Sequence, residues 1–219
     1  MLLDADDSQL VLVDYQIRLM PGIFENERVI ANAVRLARMA KVMLLPVWGT
    51  EENPDKLGPN VPAVLAAIEA AGGRMLSKMH FSAVADGLAD WLRPPVRKPA
   101  QGASGGGNAR SLPKHLQKAA PEAEEEGRNT IVIAGCEAHV CLMQTALDLL
   151  EEEFEVWVVT DACSSRSERS RDAAFDRLAG NGAELVTTEM VAFEWLRTAE
   201  HPAFREVLAF VKQGDALKN

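Results

Sequence analysis

The stretch Ile131-Val-Ile-Ala-Gly135-Cys136-Glu137-Ala-His139-Val-Cys141-Leu-Met-Gln-Thr-Ala-Leu-Asp-Leu-Leu150 limits the fold more than any other. Its opening apolar run is too short for a buried helix and predicts a central strand of a parallel sheet. Gly135 breaks the run. Beyond it Val140, Met143, Leu147 and Leu150 recur at helical spacing. The segment is strand, tight turn and helix, with Cys141 in the first helical turn. Unpaired N–H groups and the positive end of the helix dipole favour a thiolate there, so the expected pKa of Cys141 is depressed. The same N–H groups can receive an oxyanion when that sulfur attacks a carbonyl.

The rest of the chain repeats the alternation. Strands are predicted at Leu10–Val13, Val42–Trp48, Arg74–His80, Thr130–Ala134, Val156–Thr160 and Glu184–Thr187. Helices are predicted at Val29–Lys41, Val61–Ala71, Ala85–Leu92, from about His139, and at Asp172–Ala179 and Pro202–Val211. Such an order implies an α/β fold, a three-layer doubly wound sandwich. Its six-stranded, mainly parallel sheet has order 3-2-1-4-5-6, with helices on both faces. With 219 residues, 47% of them hydrophobic, one domain spanning 1–219 has enough apolar surface for a core. Residues 94–127 break the rhythm with Pro94, Pro95, Pro99, Gly105-Gly-Gly107, Pro113 and Pro121. They read as a charged insertion, with Leu112–Glu126 a candidate helix, at the N-terminal edge of the sheet.

Composition excludes several function classes. A net charge of -9 argues against non-specific nucleic-acid binding and against anionic membranes. The acidic N-terminus does not resemble a signal peptide, and no apolar run approaches a membrane span. Three cysteines make no disulfide framework and point to a reducing, cytoplasmic setting. The expected partners are a small-molecule substrate and copies of the same chain, in a homodimer or larger homo-oligomer, with Phe193, Trp195 and Phe204 as candidate apolar contacts.

In doubly wound sheets ligands bind beyond the carboxyl ends of the strands. Asp14, Lys78 and Cys141 end the first, third and fourth predicted strands, and converge on that edge. Taken alone, each has a plainer reading, as a turn residue, a solvated cation and a small core residue.

The pattern resembles the isochorismatase-like cysteine hydrolase family. The resemblance rests on Leu12-Val-Asp14-Tyr-Gln16, Ser77-Lys78-Met-His80-Phe81-Ser82, Gly135 to Cys141 with Gln144-Thr-Ala146, Thr160-Asp-Ala-Cys-Ser-Ser-Arg166 and Gly182 to Met190. It implies an Asp14–Lys78–Cys141 triad and a cis peptide at Cys136–Glu137. In that reading Asp14 is the general base, Lys78 holds it, and the backbone N–H groups of Glu137 and Cys141 form the oxyanion hole. Gln16, Thr50 and His80 are read as substrate contacts, and His139 as structural. The region Val47 to Pro54 lacks the Asp-x-His motif by which nicotinamidases of the family hold a metal, so no metal and no cofactor is expected. The cysteine separates the chain from true isochorismatases, which lack it. A metal-independent hydrolase of small amides or related C–N bonds, working through a thioester, follows from the resemblance. A thiol switch using Cys136 and Cys141, and a catalytically silent binding or assembly module, remain the alternatives.

Overall fold

A computed structural model describes residues 1–93 and 127–215. The expected insertion, with its helix at 112–126, lies outside the described residues apart from Gly127. Six strands form one sheet: β1 (Ser8–Val13), β2 (Val47–Glu52), β3 (Arg74–Lys78), β4 (Thr130–Gly135), β5 (Glu155–Val159) and β6 (Glu184–Val186). Their order is 3-2-1-4-5-6 and every pairing is parallel. All residues of β1 and β4 are buried, as strands covered on both faces must be.

The helices are α1 (Asn26–Val42), α2 (Pro54–Leu57), α3 (Pro62–Ala70), α4 (Leu88–Leu92), α5 (Met143–Glu151, entered through a π-helical turn at Ala138–Leu142), α6 (Glu168–Gly180), α7 (Thr188–Leu196) and α8 (Phe204–Asp215). Helix α1 buries Val29, Ala33, Leu36, Ala37 and Ala40 along one stripe. It packs with α3, α7 and α8, and α5 packs with α6. Among the described residues no helix is long and apolar enough to cross a membrane.

Three elements differ from expectation, one being the short helix α2, for which none was predicted. The second strand begins at Val47, not Val42. The apolar run Val42-Met-Leu-Leu45 is instead the last turn of α1 and its exit: Leu45 N–H still bonds Ala40 O, and Leu44 turns through a left-handed φ of 59°. Helix α7 was not foreseen, although its pattern is regular. Thr187 caps it by accepting from Met190 N–H, and Thr188, Val191, Ala192, Trp195 and Leu196 face inward. That burial takes Trp195 into the core, where its Nε1–H bonds Ser8 Oγ at 3.1 Å. Phe193 stays 41% exposed.

The crevice lies where β1 and β4 adjoin and their crossovers diverge. Gly135 closes that junction: a Cβ there would fall 2.4 Å from Val13 O and 2.5 Å from Val13 Cβ. Only glycine lets β4 approach β1 closely enough to set Asp14 beside the turn that carries Cys141. At the other edge, Arg74 lies over the Trp91 ring (4.0 Å) and near the Trp48 ring (5.8 Å).

Candidate active site

The strand register delivers the polar groups to one point. Val13 pairs with Thr50 and Gly135, and Glu52 pairs with Lys78. Asp14 follows β1 directly, leaves the strand with a left-handed φ of 54°, and is completely buried. Aspartate is among the few residues that tolerate this conformation. Its Oδ1 accepts from Thr50 Oγ1 at 2.6 Å, and its Oδ2 stands 2.7 Å from Lys78 Nζ.

Lys78 is 2% exposed. Its ammonium also reaches Glu52 Oε2 at 2.8 Å, His80 O at 3.3 Å and Phe81 O at 3.2 Å. Burial works against the charge on Lys78. The Asp14 carboxylate, Cys141 and Glu52 outweigh that penalty, so its pKa lies above the ordinary 10.5.

Cys141 lies in the π-helical turn, 6% exposed, with its sulfur near the Asp14 carboxylate. Donor atoms of Asp14, Glu52 and Cys141 lie within 4.8 Å of one another, the sole such grouping among the described residues. The position between the two carboxylates, where a cation would be held, is filled by the ammonium of Lys78 itself.

The expected thiolate is corrected here. Burial, and after it the neighbouring Asp14 carboxylate, push the Cys141 thiol above its ordinary 9.0; Lys78 opposes them and Glu52 adds to them. The cluster holds two carboxylates against one ammonium in a dry setting, which outweighs the helix terminus. The resting form is therefore a thiol. Removing the Asp14 charge therefore lowers the thiol pKa, whereas removing Lys78 raises it.

The other anticipated residues are placed as follows. Thr50 is wholly buried and orients Asp14. Gln16 spends its amide on backbone, donating to Glu52 O and Gly58 O and accepting from Glu52 N–H. The His80 ring is turned to the surface against Asp86 Oδ2, 3.2 Å away, and only its carbonyl reaches the cluster. Gln16 and His80 thus hold the site from behind. His139 Nδ1 lies 2.9 Å from Ser165 Oγ. The Cys136–Glu137 peptide is cis, and the Glu137 carboxylate accepts from Arg166 Nε at 2.9 Å.

Glu52 was missed. Placing β2 five residues early ended it at Trp48 and left Glu52 in a loop. With β2 running to Glu52, the pairing with Lys78 puts its carboxylate at the same edge. The usable signal was Pro46, which marks the connection before the strand.

Buried thiols also set the response to alkali. Burial pushes Cys136 up from 9.0 to about 12, and Cys163 and Tyr15 are raised for the same reason. The unfolded chain sheds the Cys136 proton from about pH 9 while the folded chain keeps it to about 12. The unfolded state binds fewer protons in that window, so stability must fall as pH rises. Lys78, also raised, reinforces the trend above 10.5. Thermal unfolding midpoints should drop steadily from pH 9 to 12, and less steeply in Cys136→Ala. A level profile would contradict this.

The comparisons with known proteins agree with this architecture. Residues 118–190 match the isochorismatase domain family model. Isochorismatase domain-containing protein 2A of Mus musculus is 32% identical over 208 residues, spanning 95% of this chain and 84% of that protein. The chain belongs to the isochorismatase family. Isochorismatase domain-containing protein 2 of Xenopus laevis is 33% identical over 206 residues, with coverage of 94% and 84%. Among solved structures, a MAR1 ribonuclease from Caenorhabditis elegans superposes with a TM-score of 0.78 at 27% identity, covering 97% of this chain and 93% of that one. The Escherichia coli YcaC product, described as an octameric hydrolase of unknown specificity, shares the isochorismatase fold at 24% identity, TM-score 0.71 and coverage of 99% and 98%. Membership places the chain among the isochorismatase-like hydrolases.

Proposed function

We propose that the chain is a cysteine hydrolase that cleaves a small amide or related C–N bond through a thioester, with Asp14, Lys78 and Cys141 as its working residues. The observation that carries this reading is one buried carboxylate, Asp14, that stands 2.7 Å from the Lys78 ammonium and within 4.8 Å of the Cys141 sulfur.

As the sulfur attacks the substrate carbonyl, its proton passes to Asp14, which serves as general base. Lys78 keeps its charge throughout and holds Asp14 in register. The tetrahedral oxyanion lies against the backbone N–H groups of Glu137 and Cys141. Collapse expels the amine, which leaves with the proton from Asp14, and a thioester remains on Cys141. Asp14 then deprotonates a water molecule, water replaces sulfur, and carboxylic acid and free thiol are restored. No metal is needed in this scheme, since the cation between the carboxylates is the lysine.

Burial of the sulfur and a net charge of -9 favour a small substrate over a polyanionic one, although the similar worm protein is called a ribonuclease. Cys136 is fully buried with its thiol raised to about 12, which weighs against a Cys136–Cys141 switch. We also read the chain as a homo-oligomer, an assembly supported by the exposed side chains of Met190 and Phe193.

The test is a panel of small primary amides, with RNA as a second arm, followed by acid quench and intact mass. The expected result is amide turnover together with an acyl adduct on Cys141. Cleavage of RNA that depends on Cys141, with no amide turned over, would overturn the proposal.

A further inference from the structure

Glu52 has no part in the scheme above, yet its carboxylate is buried in the same cluster. It is fixed unusually firmly. Gln16 holds both its N–H and its carbonyl (2.9 Å each), and the strand register sets it opposite Lys78. Its Oε2 lies 2.8 Å from the ammonium, against 2.7 Å for Asp14 Oδ2.

A second carboxylate in a dry cluster with one ammonium is costly, because one negative charge is left over. Filling the space and bonding the lysine would need only a neutral amide. The charge itself therefore calls for an explanation, and the chemistry of Asp14 supplies one. Asp14 must take a proton from a thiol. A carboxylate that alone faces an ammonium at contact distance is a weak base, since the cation stabilises its ionised form. A second anion that holds the same ammonium weakens this effect.

We propose that Glu52 is a positioning residue: it shares the Lys78 ammonium with Asp14, and its charge offsets that cation's pull on the Cys141 proton. With His80 O and Phe81 O also in contact, the ammonium has four acceptors for its three protons and no donor to spare for a substrate. This inference rests on the hydrolase reading of Asp14 and Cys141, but its test does not need turnover.

The charged groups acting on Cys141 are Asp14, Lys78 and Glu52. Removing the Glu52 charge leaves the site more positive and makes the thiol more acidic. The experiment compares the full chain with Glu52→Gln, alkylated by iodoacetamide at pH 7 to 9, where log rate rises with pH, with each cysteine followed by peptide mass. A thiol more acidic by about one pH unit carries about tenfold more thiolate. The lower intrinsic nucleophilicity of that thiolate offsets about threefold of the gain. The expected net result is about threefold faster alkylation of Cys141, with Cys136 and Cys163 unchanged and any amide turnover reduced.

A merely structural role predicts something else, since loosening would speed all three cysteines together. An unchanged or slower Cys141, or a rise shared by all three, overturns the proposal. Should Glu52→Gln lack a native far-UV spectrum, Glu52→Asp carries the test, with a smaller rise at Cys141 expected and no rise overturning it. If wild type cleaves no amide, the hydrolase reading fails while the alkylation result stands by itself.

Discussion

Cys141→Ala is expected to lower turnover of any amide the wild type hydrolyses by about 10⁴-fold or more, as loss of a covalent nucleophile does elsewhere. The variant should fold normally. Cys141 is 6% exposed and packs as a small side chain, and its thiol rests protonated, so no buried charge is stranded by its removal. Stability within about 1 kcal/mol of wild type is therefore expected from urea unfolding. The acyl adduct seen by mass should vanish as well. Retention of more than a tenth of the activity would remove the thioester from the mechanism.

Lys78→Met should act on stability and chemistry together. It deletes the ammonium that faces Asp14 Oδ2 and Glu52 Oε2, leaving two buried carboxylates turned toward each other. Breaking a buried ion pair from one side costs about 3–5 kcal/mol, a large part of a typical domain's stability. Urea unfolding of the full chain at pH 7 measures it. The double variant Lys78→Met/Glu52→Gln should recover part of the loss, because one stranded charge has gone; strict additivity would show that the two residues do not interact. The single variant should also alkylate more slowly at Cys141, since Lys78 is the group that opposes the upward shift of that thiol.

Where the sequence was legible, the reason was periodicity. Ile131–Ala134 and Leu10–Val13 are apolar on both faces because their strands are covered on both faces, and that run length is visible without coordinates. The helical stripe from Val140 onward is legible for the same reason. Val42–Leu45 misled because four apolar residues in a row have no period. At the end of α1 and its exit they look the same as the start of a strand. That slip displaced β2 and hid Glu52. Helix α7 escaped although Thr187 and the spacing from Thr188 to Leu196 announced it.

The chain's own pattern determined the parallel α/β class, the edge at which a site could form, and Asp14, Lys78 and Cys141 as candidates for it; the order 3-2-1-4-5-6 was an expectation that the structure bears out. Spacing and periodicity are local properties, and a parallel α/β sheet turns them into topology with little freedom. Tertiary structure alone decided the charge state of Cys141, the service of Gln16 and Thr50 as supports, and the entry of Glu52 as a second anion. Those depend on burial and on distances of a few ångströms between residues far apart in the chain. Electrostatic interaction in a dry cluster changes steeply over such distances, and no pattern along one strand or helix encodes them.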